Sequence, residues 1–129
     1  MYKIGDQWNK TWIVTSEIQK LFIQISKDYN PIHTKSSFAK ELGFKDKILH
    51  GIILNCFISF FVGEMLPTKN IIIIEQKIKY YNPFYIDDIL NFNIKISKII
   101  KSTQCIYLNY SFKRLDKVIA KGYLITKEL

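Results

Sequence analysis

Few side chains in this sequence can move a proton near neutral pH, which makes the search for chemistry short. The only histidines are His33 and His50, and imidazole is the side chain whose ordinary pKa lies closest to neutrality. His33 ends the segment Asp28-Tyr29-Asn30-Pro31-Ile32-His33, in which a carboxylate and an imidazole flank a proline. Pro31 fixes its own φ and restricts Asn30, so the two groups can be held near one another rather than left on a mobile loop. His50 precedes Gly51, whose missing side chain lets another molecule approach the backbone closely. A carboxylate, an imidazole and an exposed N–H at a helix start can together move a proton while a neighbouring carbonyl takes up negative charge. Plainer roles are open to the same residues: Asp28 and Asn30 as a helix end with an Asx turn, His50 as a cap. Asp28, His33 and His50 could also supply three metal ligands, but their spacing matches no metal motif, and no cofactor is expected. Neither Cys56 nor Cys105 has a basic or imidazole neighbour in sequence, which argues against a cysteine nucleophile.

The element that must position these groups is the apolar run over residues 47–67, KILHGIILNCFISFFVGEMLP. Its stretch 48–66 is long enough for a membrane span, yet it carries His50, Asn55, Ser59 and Glu64, each expensive in lipid. It reads instead as a helix buried on nearly every side, closed by Pro67, with its polar residues gathered where a helix start offers free N–H groups and a partial positive charge. Before it, residues 8–15 read as a first strand. Ser16 with Gln19 has the spacing of a capping box, opening a helix with Ile18, Leu21, Phe22 and Ile25 on one face. A short helix from Ser36 or Ser37 to Leu42 ends at Gly43. After residue 70 the texture changes to β-branched and aromatic segments at 71–81, 89–100, 104–113 and 118–126, separated by turn candidates. These four read as an antiparallel meander. With the first strand they make a five-stranded, curved antiparallel sheet around one long central helix, an α+β architecture in a single domain over residues 1–129.

The composition sets bounds on that reading. The chain has 129 residues, 48% hydrophobic, with nine Phe, eight Tyr and two Trp, which excludes a disordered chain. Its formal charge of +8 invites a nucleic-acid reading. Almost all of that charge is lysine, however, with Arg114 the one arginine and alanine only at 39 and 120. An Ile/Lys/Asn-heavy composition of this kind follows from AT-rich coding sequence, so no nucleic-acid partner is expected; the basic surface still favours phosphate-bearing or acidic ligands. Two distant cysteines read as reduced core residues of a cytoplasmic protein, and the polar first residues show no signal-peptide pattern.

The two spaced blocks resemble a known family. The run F-I-Q-I-S-K-D-Y-N-P-I-H over residues 22–33, then Phe38-Ala39, then Ile48-Leu49-His50-Gly51-Ile52, is similar to the hydratase motif of the MaoC-like (R)-specific enoyl-CoA hydratases, which have the hot-dog fold. The resemblance covers residues 5–127, with its specificity concentrated between 22 and 67. It implies reversible syn addition of water to a trans-2-enoyl-CoA or enoyl-carrier-protein thioester. It further implies Asp28 as general base, His33 as general acid and the Gly51 N–H as oxyanion donor, with Asn30, His50 and Ser59 at the substrate. Family members also imply a homodimer, or a dimer of dimers, with sheets joined edge to edge. Lys35 stands where the family usually has an acidic residue, and Ile52 where Met is commoner. A hot-dog thioesterase, and a non-catalytic acyl-CoA or acyl-carrier-protein binding module, are the alternatives.

Overall fold

The computed structural model describes residues 1–129. Strand β1 (Gln7–Ile13) leads into helix α1 (Ser16–Ser26), followed by a single helical turn, α2 (Pro31–Thr34), and a short helix, α3 (Ser36–Glu41). The central helix α4 (Ile53–Phe60) continues as one π-helical turn over Phe61–Met65. Four strands complete the chain: β2 (Ile71–Tyr80), β3 (Ile89–Ile100), β4 (Cys105–Arg114) and β5 (Lys117–Glu128). They form one five-stranded antiparallel sheet, and its apolar face shares a core with α4 that includes Leu54, Ile58, Phe61, Phe92, Ile94, Leu108 and Phe112.

The strand order is β1-β3-β4-β5-β2, which corrects the expected meander. Only β3, β4 and β5 run on as successive hairpins, and β2 lies at the far edge beside β5. The reason lies in residues 81–88, too long for a tight hairpin. Tyr81 N–H and Asn82 N–H both donate to the Ile119 carbonyl, Phe84 accepts from Leu49 N–H, and Asp87 N–H donates to the Val14 carbonyl. The chain thus crosses from β5 past the start of the central helix to the end of β1. Arg114 fastens this crossing, bonding the Asp88 carboxylate at 2.6 Å and the Pro83 carbonyl at 3.2 Å.

Helix limits also differ from expectation. Thr15, not Ser16, caps α1, its hydroxyl accepting from Ile18 N–H at 3.3 Å. Leu21 and Ile25 are exposed, and the buried residue of α1 is Gln19. The long apolar run is not helical from its start: residues 47–50 are irregular, and α4 begins only at Ile53. Nor is it covered all round, because Ile52, Cys56, Ser59 and Phe60 face outward. Cys56 is therefore no core residue, whereas Cys105 is buried; both are free thiols. Lysine 69 closes the helix end, its ammonium donating to the carbonyls of Gly63, Glu64 and Leu66, where the helix dipole favours a cation. No helix is long and apolar enough to cross a membrane.

Glycine is required at one sheet position. Tyr110 of β4 reaches across Gly122 of β5 to donate its hydroxyl to the Lys77 carbonyl of β2 at 2.9 Å. A Cβ on Gly122 would stand 1.9 Å from that carbonyl oxygen and 2.6 Å from the tyrosine hydroxyl.

Candidate functional site

Asp28 and Asn30 fall in the link that follows α1. Lys27 ends that helix in the left-handed region, at φ 58°, and the backbone then folds onto its own polar side chains. Asp28 N–H donates to Ser26 Oγ, Asn30 N–H to Asp28 Oδ1, and Ile32 N–H to Asn30 Oδ1, each at 3.1 Å. Asn30 is thus the N-cap of α2, with Pro31 at the first helical position, where the missing N–H costs nothing. This single turn carries His33 back towards the start of the central helix.

Two hydrogen bonds then fix His33. Buried Gln19 donates its side-chain amide to the His33 carbonyl at 2.9 Å. The His33 ring nitrogen Nδ1 lies 2.8 Å from the Ile48 carbonyl. A carbonyl oxygen only accepts, so Nδ1 carries hydrogen and the outward nitrogen, Nε2, is left to exchange a proton. In the sequence, the spacing of Gln19 from Ser16 points to a capping box, and nothing local shows that its side chain instead turns inward to hold the His33 carbonyl.

His50 lies behind His33 rather than beside it in solvent. The two rings stack with centroids 3.9 Å apart and planes 27° from parallel, and Phe22 covers His50 at 4.8 Å. His50 is 3% exposed. Its Nε2 lies 3.2 Å from the Asp28 carbonyl and 3.8 Å from the Asp28 carboxylate, while its buried Nδ1 has no partner. Burial pushes the His50 pKa below the usual histidine value, and the neighbouring His33 adds to that, against the opposing pull of the Asp28 carbonyl and carboxylate. Asp28, His33 and His50 each bring one donor atom within 4.8 Å of the others; they are also the one group that could hold a metal ion.

Gly51 and Ile52 form the turn before α4. Hydrogen bonds run from Ile53 N–H to the His50 carbonyl, from Leu54 N–H to the Gly51 carbonyl and from Asn55 N–H to the Ile52 carbonyl. The N–H groups of Gly51 and Ile52 themselves meet no acceptor in the chain, as the first donors of a helix do not. Gly51 lines a cleft of about 360 Å³ together with His33, Ile48, Ile52, Tyr80 and Phe84. The cleft is largely apolar, and His33 and Gly51, whose N–H is free, both line it.

The structure therefore gathers Asp28, Asn30, His33, His50 and Gly51 into one place. His33 and Gly51 line the cleft, while His50 stacks on His33 and Asn30 caps the turn that carries His33. Ser59 stands apart: it is exposed on the outward face of α4, two turns beyond Ile52, a distance of roughly 10 Å along the axis. Tyr80 is the cleft residue that the sequence did not single out for the chemistry, since its alternation in β2 marks it only as a strand residue.

The family model for the MaoC like domain matches residues 4–118. The chain belongs to the MaoC-like domain family. Among curated MaoC-like relatives, an (R)-specific enoyl-CoA hydratase of Rhodospirillum rubrum is 28% identical over 102 residues, 79% of this chain and 71% of that protein. A mitochondrial 3-hydroxyacyl-[acyl-carrier-protein] dehydratase of Arabidopsis thaliana is 26% identical over 88 residues, 68% of this chain and 52% of that protein. The match thus spans about half of the plant protein's length. Among solved structures, the (R)-hydratase from A. caviae involved in PHA biosynthesis superposes with a TM-score of 0.91 at 20% identity, covering 99% of this chain and 98% of that one. A protein from Archaeoglobus fulgidus gives the same TM-score at 24% identity, over all of this chain and 80% of that one. This MaoC-like chain has the hot-dog fold, as expected from the resemblance.

Proposed function

We propose that this chain is an (R)-specific enoyl-thioester hydratase, or the same catalyst run in reverse as a 3-hydroxyacyl-thioester dehydratase. One observation carries the reading: His33 and Gly51, whose N–H is free, line a single apolar cleft, and the Asp28 carboxylate, 46% exposed, has an oxygen within 4.8 Å of a ring nitrogen of His33 and of His50. In hydration, the Asp28 carboxylate takes a proton from water as the oxygen bonds to C3. The electrons of the double bond shift toward the thioester, whose oxygen becomes negative. Gly51 N–H donates to that oxygen at the start of α4, where the helix dipole also favours an anion. His33 Nε2 delivers a proton to C2 from the same side, giving syn addition of one water, and the proton taken up by Asp28 then passes back to His33 to restore the pair. Stacked behind it, His50 stays neutral and adds no positive charge that would resist protonation of His33. An acyl-CoA or acyl-carrier-protein thioester is the substrate class that this cleft and the basic surface suit. The outward face of α4, with Ser59, and the open edge of β2, with exposed Ile72 and Ile74, are where a second copy would complete the site and remove a free strand edge.

The test is the loss of crotonyl-CoA enoyl absorbance by wild type and Asp28→Asn. The expected result is a fall of about 10²-fold or more in turnover with no change in melting temperature. Unchanged enoyl absorbance with both proteins, or release of free thiol in place of hydration, would replace this reading with the binding-module or thioesterase one.

A further inference from the structure

Tyr80 is the last residue of β2, and its cross-strand partner is the fully buried Ala120. The small partner leaves space for a large ring at the end of the edge strand, and that ring lines the cleft with His33 and Gly51. A Cβ built on Gly51 would stand 2.6 Å from Tyr80 Cε1, 2.9 Å from Cζ and 3.0 Å from Cδ1. The ring edge that carries the hydroxyl therefore lies against the very residue whose N–H is free. Gly51, at the start of α4, and the half-exposed Tyr80, at the end of β2, both line this cleft.

We infer that the Tyr80 hydroxyl is a second donor to the thioester carbonyl oxygen, acting beside the Gly51 N–H. The assignment rests on the hydratase reading. A carbonyl oxygen has room for two donors, and an O–H donor to an oxygen gaining negative charge is of the stronger, charge-assisted kind. Burial pushes the phenol pKa above its ordinary value, so the proton needed for donation is held throughout the neutral range. The edge strand thereby becomes part of the catalytic apparatus rather than only of the sheet.

Tyr80→Phe keeps the ring and the packing and removes the donor. With crotonyl-CoA, kcat is expected to fall about 10²-fold, the usual loss for one oxyanion donor, while KM and melting temperature stay near wild type, the pattern of an interaction made in the transition state. A second readout needs no hydration: acetoacetyl-CoA bound to wild type should form its enolate, followed by its near-ultraviolet absorbance, at lower pH than when bound to Tyr80→Phe. If wild type hydrates no enoyl thioester yet the variant loses this enolate shift, the donor assignment stands and the hydratase reading falls. Wild-type kcat in the variant together with an unchanged enolate titration overturns the assignment. An absence of any enolate shift in wild type overturns it as well.

Discussion

The sheet and the segment over residues 27–52 are built on opposite plans. The sheet face is held by many interchangeable apolar contacts among side chains such as Phe61, Phe92, Phe112 and Leu108, backed by continuous strand ladders. The 27–52 segment contains little regular structure and is fixed by a few specific polar bonds: Gln19 to the His33 carbonyl, His33 to the Ile48 carbonyl, the Asn30 cap and His50 to the Asp28 carbonyl. Redundant contacts tolerate single changes and set global stability; a bond made by one donor to one acceptor has no substitute, and it sets geometry. Stability and the proposed catalysis should therefore be separable by mutation. The exceptions are places where the sheet itself depends on one unique contact, or where the site buries a titratable group.

The contrast can be broken first at Gly122, the point where the redundant region depends on a single residue. Gly122→Ala places a methyl carbon 1.9 Å from the Lys77 carbonyl oxygen, so β2 and β5 cannot keep their register. The expected loss exceeds about 4 kcal/mol, the range reserved for gross steric or cavity defects, and is read from urea unfolding or from failure to recover folded protein. A stable Gly122→Ala protein would show that the crossing of Tyr110 over β5 is adjustable.

Gln19→Ala probes the other plan. It removes the donor to the His33 carbonyl and leaves a small void, at an expected cost of about 1–3 kcal/mol for the unsatisfied buried acceptor. Because His33 is displaced with its turn, kcat for the proposed hydration should fall further than the stability loss alone accounts for, at a temperature where the variant is fully folded. A variant destabilised to this extent but with wild-type kcat would mean that α2 holds His33 without help from α1.

The smallest expected effect is the pH dependence conferred by His50. Its folded pKa is depressed, first by burial and then by His33, while in the unfolded chain it titrates near the ordinary value of about 6.5. Below that value the unfolded chain takes up a proton that the folded one resists, so stability is complete above about pH 6.5 and declines as the pH falls through that value toward the lowered folded one. Thermal unfolding from pH 7.5 downward should show the decline, and His50→Asn should flatten it. An unchanged slope in the variant would assign the acid sensitivity to other groups.

Much of this arrangement can be read from local sequence. Asp28, Asn30, Pro31 and His33 lie within six residues, so the turn chemistry that relates them is short-range and visible as spacing. Alternation located the strands because side chains must switch faces at every residue, and Gly43 marked the end of α3 because its φ of +95° suits glycine. Expectations failed where distant parts of the chain decide. The same alternation in β2 is compatible with pairing to β3 or to β5, and only the hydrogen bonds of residues 81–88 to Ile119, Leu49 and Val14 distinguish them. Leu21, Ile25 and Cys56 are apolar by type, and periodicity does not reveal which apolar faces of a single chain remain uncovered.

The sequence by itself thus determined the candidate proton-transfer residues, their order and the glycine beside them, because those depend on neighbours along the chain. Only the tertiary structure decided that His50 lies behind His33 instead of facing the cleft, that Ser59 points outward, and that Tyr80 closes against Gly51. Each of those placements is a contact between elements separated by many residues, set by how β2 and α4 pack across the same core, and spacing along a chain carries no record of such distances.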